Sequence, residues 1–202
     1  PYITLLVTVL LMAMPVMALA QGTTPGLPVQ AIPIDETPVH LIVAVDGTCY
    51  VAGQNSVMKY GPDGTRDTDW GDAGKAVIPI RPALLCFDDN GDILAGSHDQ
   101  EGLYRIATST GFSELVIPEI PISGLAVDGQ QHLYINSRGK LAKYTGDLAL
   151  IWEKPLHTPE QTGLCLLQDG GLITTIAETG ALCKYTAQGD LDLTFGTDGL
   201  LQ

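Results

Sequence analysis

One β-rich pattern occurs four times between residues 38 and 202, with a period of about 40 residues, which is the range of propeller blades. Each copy opens with an apolar stretch that runs into a turn and continues as a second apolar stretch. The turns carry the dipeptides Asp46-Gly47, Asn90-Gly91, Asp128-Gly129 and Asp169-Gly170. Such dipeptides supply the positive φ angles of a type I′ hairpin, so each is predicted to join two antiparallel strands.

Each copy then supplies a third strand, marked by tyrosine at positions 60, 104, 144 and 185. A proline element follows in three copies: Ile78-Pro79-Ile80, Ile120-Pro121-Ile122 and Lys154-Pro155-Leu156. Because proline cannot donate to a strand ladder, we expect these elements to be outer edge strands. The sequence therefore predicts an all-β fold, a small β-propeller with blades at 38–81, 82–123, 124–161 and 162–202.

Closure of this propeller depends on the segment ahead of the first copy. The fourth copy reaches Gln202 where its outer strand should begin, whereas Ile32-Pro33-Ile34 precedes the first copy. We expect residues 29–34 to supply the missing strand and to close the ring. The alternatives are that the chain is a piece of a longer propeller, or that it is an open half-ring that closes by dimerising.

The first twenty residues carry no charge and end in Ala18-Leu19-Ala20. This pattern is typical of a secretory signal with its cleavage site. A retained membrane anchor or assembly element is the alternative. Either interpretation predicts an extracytoplasmic domain, in contact with a membrane only if residues 1–20 are retained. Residues 21–30, rich in glycine, proline and threonine, are predicted to be a linker to the propeller at 31–202.

Charge and composition narrow the classes of partner. Twenty-three acidic residues against ten basic ones give a net charge of −13, which repels a phosphate backbone. Nucleic acid is therefore excluded as a predicted partner. The 23 glycines favour strands joined by tight turns over a helical bundle.

The ends of the first and fourth copies share a motif. Glycine, aspartate, an aromatic residue, glycine and glycine occur at Gly64, Asp67, Trp70, Gly71 and Gly74, and again at Gly189, Asp192, Phe195, Gly196 and Gly199. This resembles the delta-60 repeat, G-x-x-D-x-x-F-G-x-x-G, of bacterial extracytoplasmic propellers and, more loosely, NHL-type propellers. The other two copies keep only an aromatic remnant, at Phe112 and Trp152. The resemblance implies a fold more than an activity.

Four aspartates near this motif are candidate ligands of a calcium ion. They lie at Asp63, Asp67, Asp69 and Asp72. Their spacing does not fit an EF-hand loop, and such residues commonly cap turns. We therefore predict turn caps and no metal site.

The four cysteines are Cys49, Cys86, Cys165 and Cys183. No C-x-x-C pair is present, which argues against zinc. They occupy strand positions that hold Ile, Leu, Met or Ala in other copies, so we predict core thiols, with disulfides as the alternative. Cys86 and Cys165 are predicted at equivalent positions on inner strands of opposite blades.

Side chains suited to catalysis show no recognisable spacing. The histidines, His40, His98, His132 and His157, lie at different places in their copies and are predicted to be solvated. No G-x-S-x-G elbow or phosphate-binding loop occurs, although a Ser-His-Asp triad is defined by geometry and stays open. The recurring tyrosines, with Trp70, Trp152 and Phe195, are predicted to pack between blades rather than to stack on sugars.

These observations favour a non-catalytic extracytoplasmic propeller that presents surface to other proteins, including copies of itself, as in a surface filament or array. No catalytic residue and no cofactor is predicted, because the inner strands offer mainly Leu, Val, Ala and Cys. The alternative is an enzyme or sensor that binds a small ligand or glycan at the mouth of the propeller channel.

Overall fold

The computed structural model describes residues 34–98 and 102–202, which form sixteen strands and no helix. The strands are β1 (His40–Val43), β2 (Cys49–Ala52), β3 (Ser56–Tyr60), β4 (Lys75–Val77), β5 (Leu84–Phe87), β6 (Ile93–Gly96), β7 (Leu103–Ile106), β8 (Ser113–Ile117), β9 (Gly124–Val127), β10 (Leu133–Ser137), β11 (Lys140–Tyr144), β12 (Leu150–Pro155), β13 (Gln161–Leu166), β14 (Leu172–Ile176), β15 (Leu182–Tyr185) and β16 (Leu200–Leu201).

These strands form four antiparallel sheets in which neighbours in sequence are neighbours in space. The orders are β1-β2-β3-β4, β5-β6-β7-β8, β9-β10-β11-β12 and β13-β14-β15-β16. Each copy of the repeat is therefore one blade, and the predicted all-β fold with four blades is confirmed. In the described residues, no helix has the length and apolar character needed to span a membrane.

The turns between the first two strands of each blade differ from the type I′ prediction. Each is a three-residue loop closed by a hydrogen bond such as Ala44 N–H to Thr48 O, 2.8 Å. One residue per loop has a positive φ: Gly47, Gly91, Gln131 and Gly170. This is a type I turn followed by a G1 bulge. In the third blade the left-handed position falls on Gln131 and not on Gly129, because the turn begins at Asp128 itself.

Two of the proline elements lie beyond the outer strands rather than in them. Strands β4 and β8 end at Val77 and Ile117, before the prolines, whereas β12 does include Pro155. Ile78, Ile80 and Ile122 are buried. The apolar neighbours of the prolines therefore carry the chain across to the next blade and fill the space between blades.

The recurring tyrosine is interrupted in the second blade. Tyr60, Tyr144 and Tyr185 each pair with the first residue of the preceding strand, but Ile106 takes that place opposite Ile93. Tyr104 lies two residues earlier, so it is not the structural equivalent that its spacing suggests.

Hydrophobic clusters join consecutive blades. One lies between the first and second blades around Trp70, one between the second and third around Ile122, and one between the third and fourth around Tyr185. No cluster of described residues joins the fourth blade to the first. A fourth cluster covers the remaining face of the first blade with Val51 and Met58.

The outer strand of the fourth blade comes from its own copy. Leu200 and Leu201 of β16 pair with β15, in the place predicted for residues 29–34. Within that segment only Ile34 is described, and it packs against the first blade beside Met58. Residues 29–33, like the predicted signal or anchor at 1–20 and the linker at 21–30, lie outside the described residues.

Candidate functional site

The blades present loops at two ends, and each end has a cavity. The hairpin end carries the turns at 44–48, 88–92, 128–132 and 167–171. The crossover end carries the connections between blades at 78–83, 118–123 and 156–160. A cavity of about 400 Å³, here called the dyad pocket, lies at the hairpin end between the second and third blades. A cavity of about 300 Å³, the crossover pocket, lies at the other end.

The dyad pocket takes its name from a carboxylate and an imidazole. His132 Nδ1 lies 2.9 Å from Asp128 Oδ2. The same carboxylate accepts the Tyr134 hydroxyl at 3.0 Å and the backbone N–H of His132 at 2.8 Å. Because an ionised carboxylate only accepts, Nδ1 carries the proton and the lone pair of Nε2 is available. His132 lines the cavity, so the pocket holds an oriented base.

The environment keeps Asp128 ionised. Burial opposes the charge, but the hydrogen bonds from His132, Gln130 and Tyr134 together outweigh it and lower the pKa of Asp128. Lys143 Nζ lies 3.8 Å from the carboxylate and 4.9 Å from the centre of the Tyr134 ring. Burial, together with donation to Asp128, raises the pKa of Tyr134. Tyr134 therefore stays protonated and acts as a fixed donor.

Part of this site is common to the repeat. A cation occupies one register position on the third strand of every blade: Lys59, Arg105, Lys143 and Lys184. Each pairs with an aspartate of the nearby turns or loops. The position of His132, by contrast, holds Thr48, Asp92 and Gly171 in the other blades. The imidazole is therefore the departure from the repeat, and departures from a repeat are where a specific function is expected.

The opposite wall of the dyad pocket comes from the second blade. Arg105 Nε lies 3.1 Å from Asp88 Oδ2, and its Nη1 lies 3.6 Å from Glu114. Asp88 also accepts the backbone N–H of Asn90 and of Asp92. Both walls thus carry paired charges, and His132, Asp89 and Asp147 also line the space between them.

The crossover pocket is lined by turns and connections of the second, third and fourth blades. His98, Ser123, Arg138, Glu160 and Gln161 are among its lining residues. Gln161 is 1% exposed, and its side-chain carbonyl accepts the hydroxyls of Thr174 and Tyr185, each at 2.7 Å. The floor of this pocket is therefore polar and rigid.

The four histidines lie in different environments. The prediction that all are solvated is wrong for His132, which pairs with Asp128, and for His40, which is partly buried and whose pKa is lowered by burial. His98 and His157 are exposed, as predicted. An Asp-x-x-x-His spacing across a hairpin turn is the sequence signal that could have indicated the dyad.

The cysteines are all free, and Cys86 and Cys165 occupy equivalent inner-strand positions opposite Leu94 and Ile173. Cys183 is buried, which confirms the core-thiol prediction there, but Cys165 is exposed and contradicts it. Burial raises the pKa of Cys86 to about 12, so this thiol is a poor nucleophile.

The aspartates of the shared motif serve turns. Asp67 accepts the backbone N–H of Asp69 and pairs with Lys59, while Asp63 accepts both groups of Thr65. The turn-cap interpretation is confirmed for these two residues. In the described part of the chain, no group of three or more His, Cys, Asp or Glu side chains is placed to hold a metal ion.

Two of the three aromatic residues singled out by sequence pack between blades. Trp70 lies in the cluster between the first and second blades and donates its indole N–H to Ala107 O at 3.3 Å, and Trp152 packs against the cluster between the third and fourth blades. Phe195 is half-buried and belongs to none of the described clusters. The packing prediction is confirmed for the tryptophans.

The sequence matches no protein-family profile and no curated protein. Similar solved structures include a streptogramin B lyase, with a TM-score of 0.64 and 15% identity over 80% of this chain and 55% of that one. A virginiamycin B lyase from Staphylococcus aureus, bound to quinupristin, gives 0.64 and 16% over 78% and 55%. A luciferin-regenerating enzyme gives 0.60 and 16% over 85% and 63%.

The chain has a β-propeller fold. It spans between about half and two thirds of the length of these three structures. The resemblance to delta-60 and NHL-type repeats is supported only at the level of the propeller, since the similar structures are propellers of other kinds.

These comparisons correct the functional prediction. All three structures are described as enzymes, whereas a non-catalytic structural module was predicted. That prediction was wrong, and the alternative of a ligand-binding enzyme or sensor fits better.

Proposed function

We propose that this chain is an enzyme that acts on a small molecule bound in the dyad pocket, with His132 as its general base. The observation that carries the proposal is the Asp128–His132 pair lining a 400 Å³ cavity between two blades. A cavity of this size suits a small organic substrate. An imidazole with one nitrogen anchored on a carboxylate is suited to proton transfer.

The chemistry follows from the fixed tautomer. Nε2 of His132 takes a proton from a substrate C–H or from a water molecule, and the electron pair of the broken bond stays on that carbon or oxygen. The imidazolium that forms lies against the Asp128 carboxylate. Tyr134 and Lys143 contact the same Oδ2 atom of Asp128 and hold that carboxylate in place. Asp128 is therefore a positioning residue that favours the charged imidazole, and Tyr134 positions Asp128.

Solved structures lend support by analogy. The virginiamycin B lyase bound to quinupristin is described as inactive after replacement of one histidine by alanine. At 16% identity this likeness concerns the fold, so it raises the expectation of histidine chemistry without assigning the residue.

The test measures turnover by the purified chain with quinupristin and with simple lactones as probes. His132→Ala should lower kcat/KM by about 10²- to 10⁴-fold, the usual contribution of a general base. His157→Ala is the matched control, because this histidine is exposed at the crossover end, and its activity should equal that of the wild type. Circular dichroism checks that both variants fold.

The role of Asp128 has its own signature. In Asp128→Asn the amide can donate to Nδ1, which favours the tautomer with the proton on Nε2. We expect kcat to fall while KM changes little. Full activity of His132→Ala, or no turnover of any probe by the folded wild type, would count against the proposal.

Extracytoplasmic localisation remains a prediction, supported by the apolar residues 1–20 and the Ala-x-Ala pattern.

A further inference from the structure

The charged groups of the crossover pocket differ from those in the rest of the molecule. All ten lysines and arginines lie in the described residues, and eight of them form ion pairs with acidic side chains. Only Arg81 and Arg138 form none with a described residue. In a chain with 23 acidic residues an unpaired guanidinium is the exception, and Arg138 lines the crossover pocket.

The backbone at Arg138 is also unusual. Ser137 pairs directly with Lys140, so Arg138 and Gly139 form a two-residue hairpin turn with φ values of 45° and 74°. Both positions are left-handed, where asparagine or glycine is preferred at the first. An arginine held there carries a backbone cost that a purely structural turn would avoid, and such costs gather at ligand-binding positions.

A carboxylate lies beside this arginine without neutralising it. A side chain at Gly139 would collide with Pro159, so the turn packs tightly against the residue that precedes Glu160. Leu156 N–H also donates to Gly139 O at 2.8 Å, which fixes the turn on this connection. Arg138 and Glu160 thus flank one backbone contact, yet they form no ion pair. The pocket between them offers one positive and one negative group.

The rest of the pocket supplies a fixed polar floor and an apolar wall. Asn136 is fully buried and donates to the backbone carbonyls of Gln161 at 3.0 Å and Gly163 at 3.3 Å. Its Oδ1 has no hydrogen-bond partner among the described residues. The two hydrogen bonds from Asn136 hold the backbone of Gln161 and Gly163 in place, and they offset part of the cost of burying a polar side chain. Pro121, which is partly exposed, forms the apolar wall, and the fully buried Ile122 lies next to it in the chain.

We propose that the crossover pocket binds a small zwitterion of the α-amino acid type. Its carboxylate pairs with Arg138, its ammonium group with Glu160, and its side chain lies on Pro121. Arginine binds carboxylates through two parallel hydrogen bonds, and glutamate accepts from an ammonium group. This site is separate from the dyad pocket, which lies at the opposite end of the blades.

The experiment titrates the full chain with three matched probes. L-leucine carries both charges, 4-methylpentanoate lacks the ammonium group, and 3-methylbutylamine lacks the carboxylate. Isothermal titration calorimetry should give L-leucine a Kd of about 1 mM or lower, with each single-charge probe at least about tenfold weaker. Amide chemical shifts should move at Arg138, Gly139 and Gln161 and stay constant at His132.

Two variants locate the charges. Arg138→Gly relaxes the left-handed turn, so the fold should be at least as stable as the wild type, while leucine affinity should fall about tenfold or more. Glu160→Gln should weaken leucine binding without changing the affinity for 4-methylpentanoate. Arg81→Gln is the matched control, since it removes the other unpaired cation outside the pocket, and should bind leucine as the wild type does.

Three results would overturn the proposal: no binding of L-leucine up to about 10 mM, equal affinity for leucine and 4-methylpentanoate, or equal leucine affinity in the wild type and Arg138→Gly. Activity at the dyad pocket is independent of all three, so a negative outcome here leaves the role of His132 to its own test.

Discussion

The first and last blades carry the same motif and build the same loop from it. In the first, Trp70 N–H donates to Asp67 O, and Gly74 N–H donates to Trp70 O. In the fourth, Phe195 and Gly199 donate to Asp192 O and Phe195 O in the same way. An aspartate–lysine pair braces both loops, at 2.8 Å in the first blade and 3.1 Å in the fourth.

The aromatic residue at the centre of these loops nevertheless differs in its burial and in its contacts with a neighbouring blade. Trp70 is 2% exposed, and its indole N–H donates to Ala107 O of the next blade at 3.3 Å. Phe195 is half-buried, and no described blade packs beyond it. Local sequence therefore decides the conformation of the loop, whereas the neighbouring blade decides how much the aromatic side chain stabilises the fold.

The largest difference between the two blades is expected when both aromatic residues are truncated. Trp70→Ala removes a buried ring from the cluster between the first two blades and should lower the free energy of unfolding by about 3–5 kcal/mol. Phe195→Ala should cost less than about 1.5 kcal/mol, because its ring is already partly in water. Urea unfolding measures both, and equal losses would show that the fourth blade has a covering partner after all.

The glycines after the aromatic residues should behave alike in the two blades. Gly71 and Gly196 have φ values of +60° and +57°, and an added Cβ would collide with the carbonyl oxygens of Lys75 and Leu200. Gly71→Ala and Gly196→Ala should each cost about 1–3 kcal/mol. Gly91→Ala is the control for φ alone, since its added Cβ meets open space, and should cost about 1 kcal/mol. A large difference between the first two would show that the loops are not energetically equivalent.

The smallest expected effect is a shared response to acid. Hydrogen bonding from Lys59 lowers the pKa of Asp67, and hydrogen bonding from Thr194 and Lys184 lowers that of Asp192. Both groups therefore add stability above their unfolded pKa of about 4, and this contribution is lost as the pH falls through the folded values.

Asp67→Asn and Asp192→Asn should accordingly flatten the fall in the urea midpoint below about pH 4, by similar amounts. The comparison of interest is each variant against the wild type across that range. A flattened profile in only one of them would mean that the two aspartate–lysine pairs are not equivalent, despite their common loop.

The sequence predicted less of the candidate site than of the fold. The sequence correctly predicts Asp128 in a turn, but it predicts that His132 is a solvated residue. The pair forms because a three-residue loop returns His132 beside the carboxylate of Asp128. A type I′ turn would have placed the two differently. Arg138 and Glu160 carry no sequence signal, since they meet only where the third blade crosses to the fourth.

The four copies, their strands and the braced loops at Gly64–Gly74 and Gly189–Gly199 follow from sequence alone, because turn geometry and strand alternation depend on nearby residues. The tertiary structure decided which residues are covered. It buried the isoleucines around Pro79, placed Ile106 where a tyrosine was expected, and gave the outer strand of the fourth blade to Leu200 and Leu201. Those outcomes depend on contacts between blades, which are distant in sequence and are made only when the sheets pack.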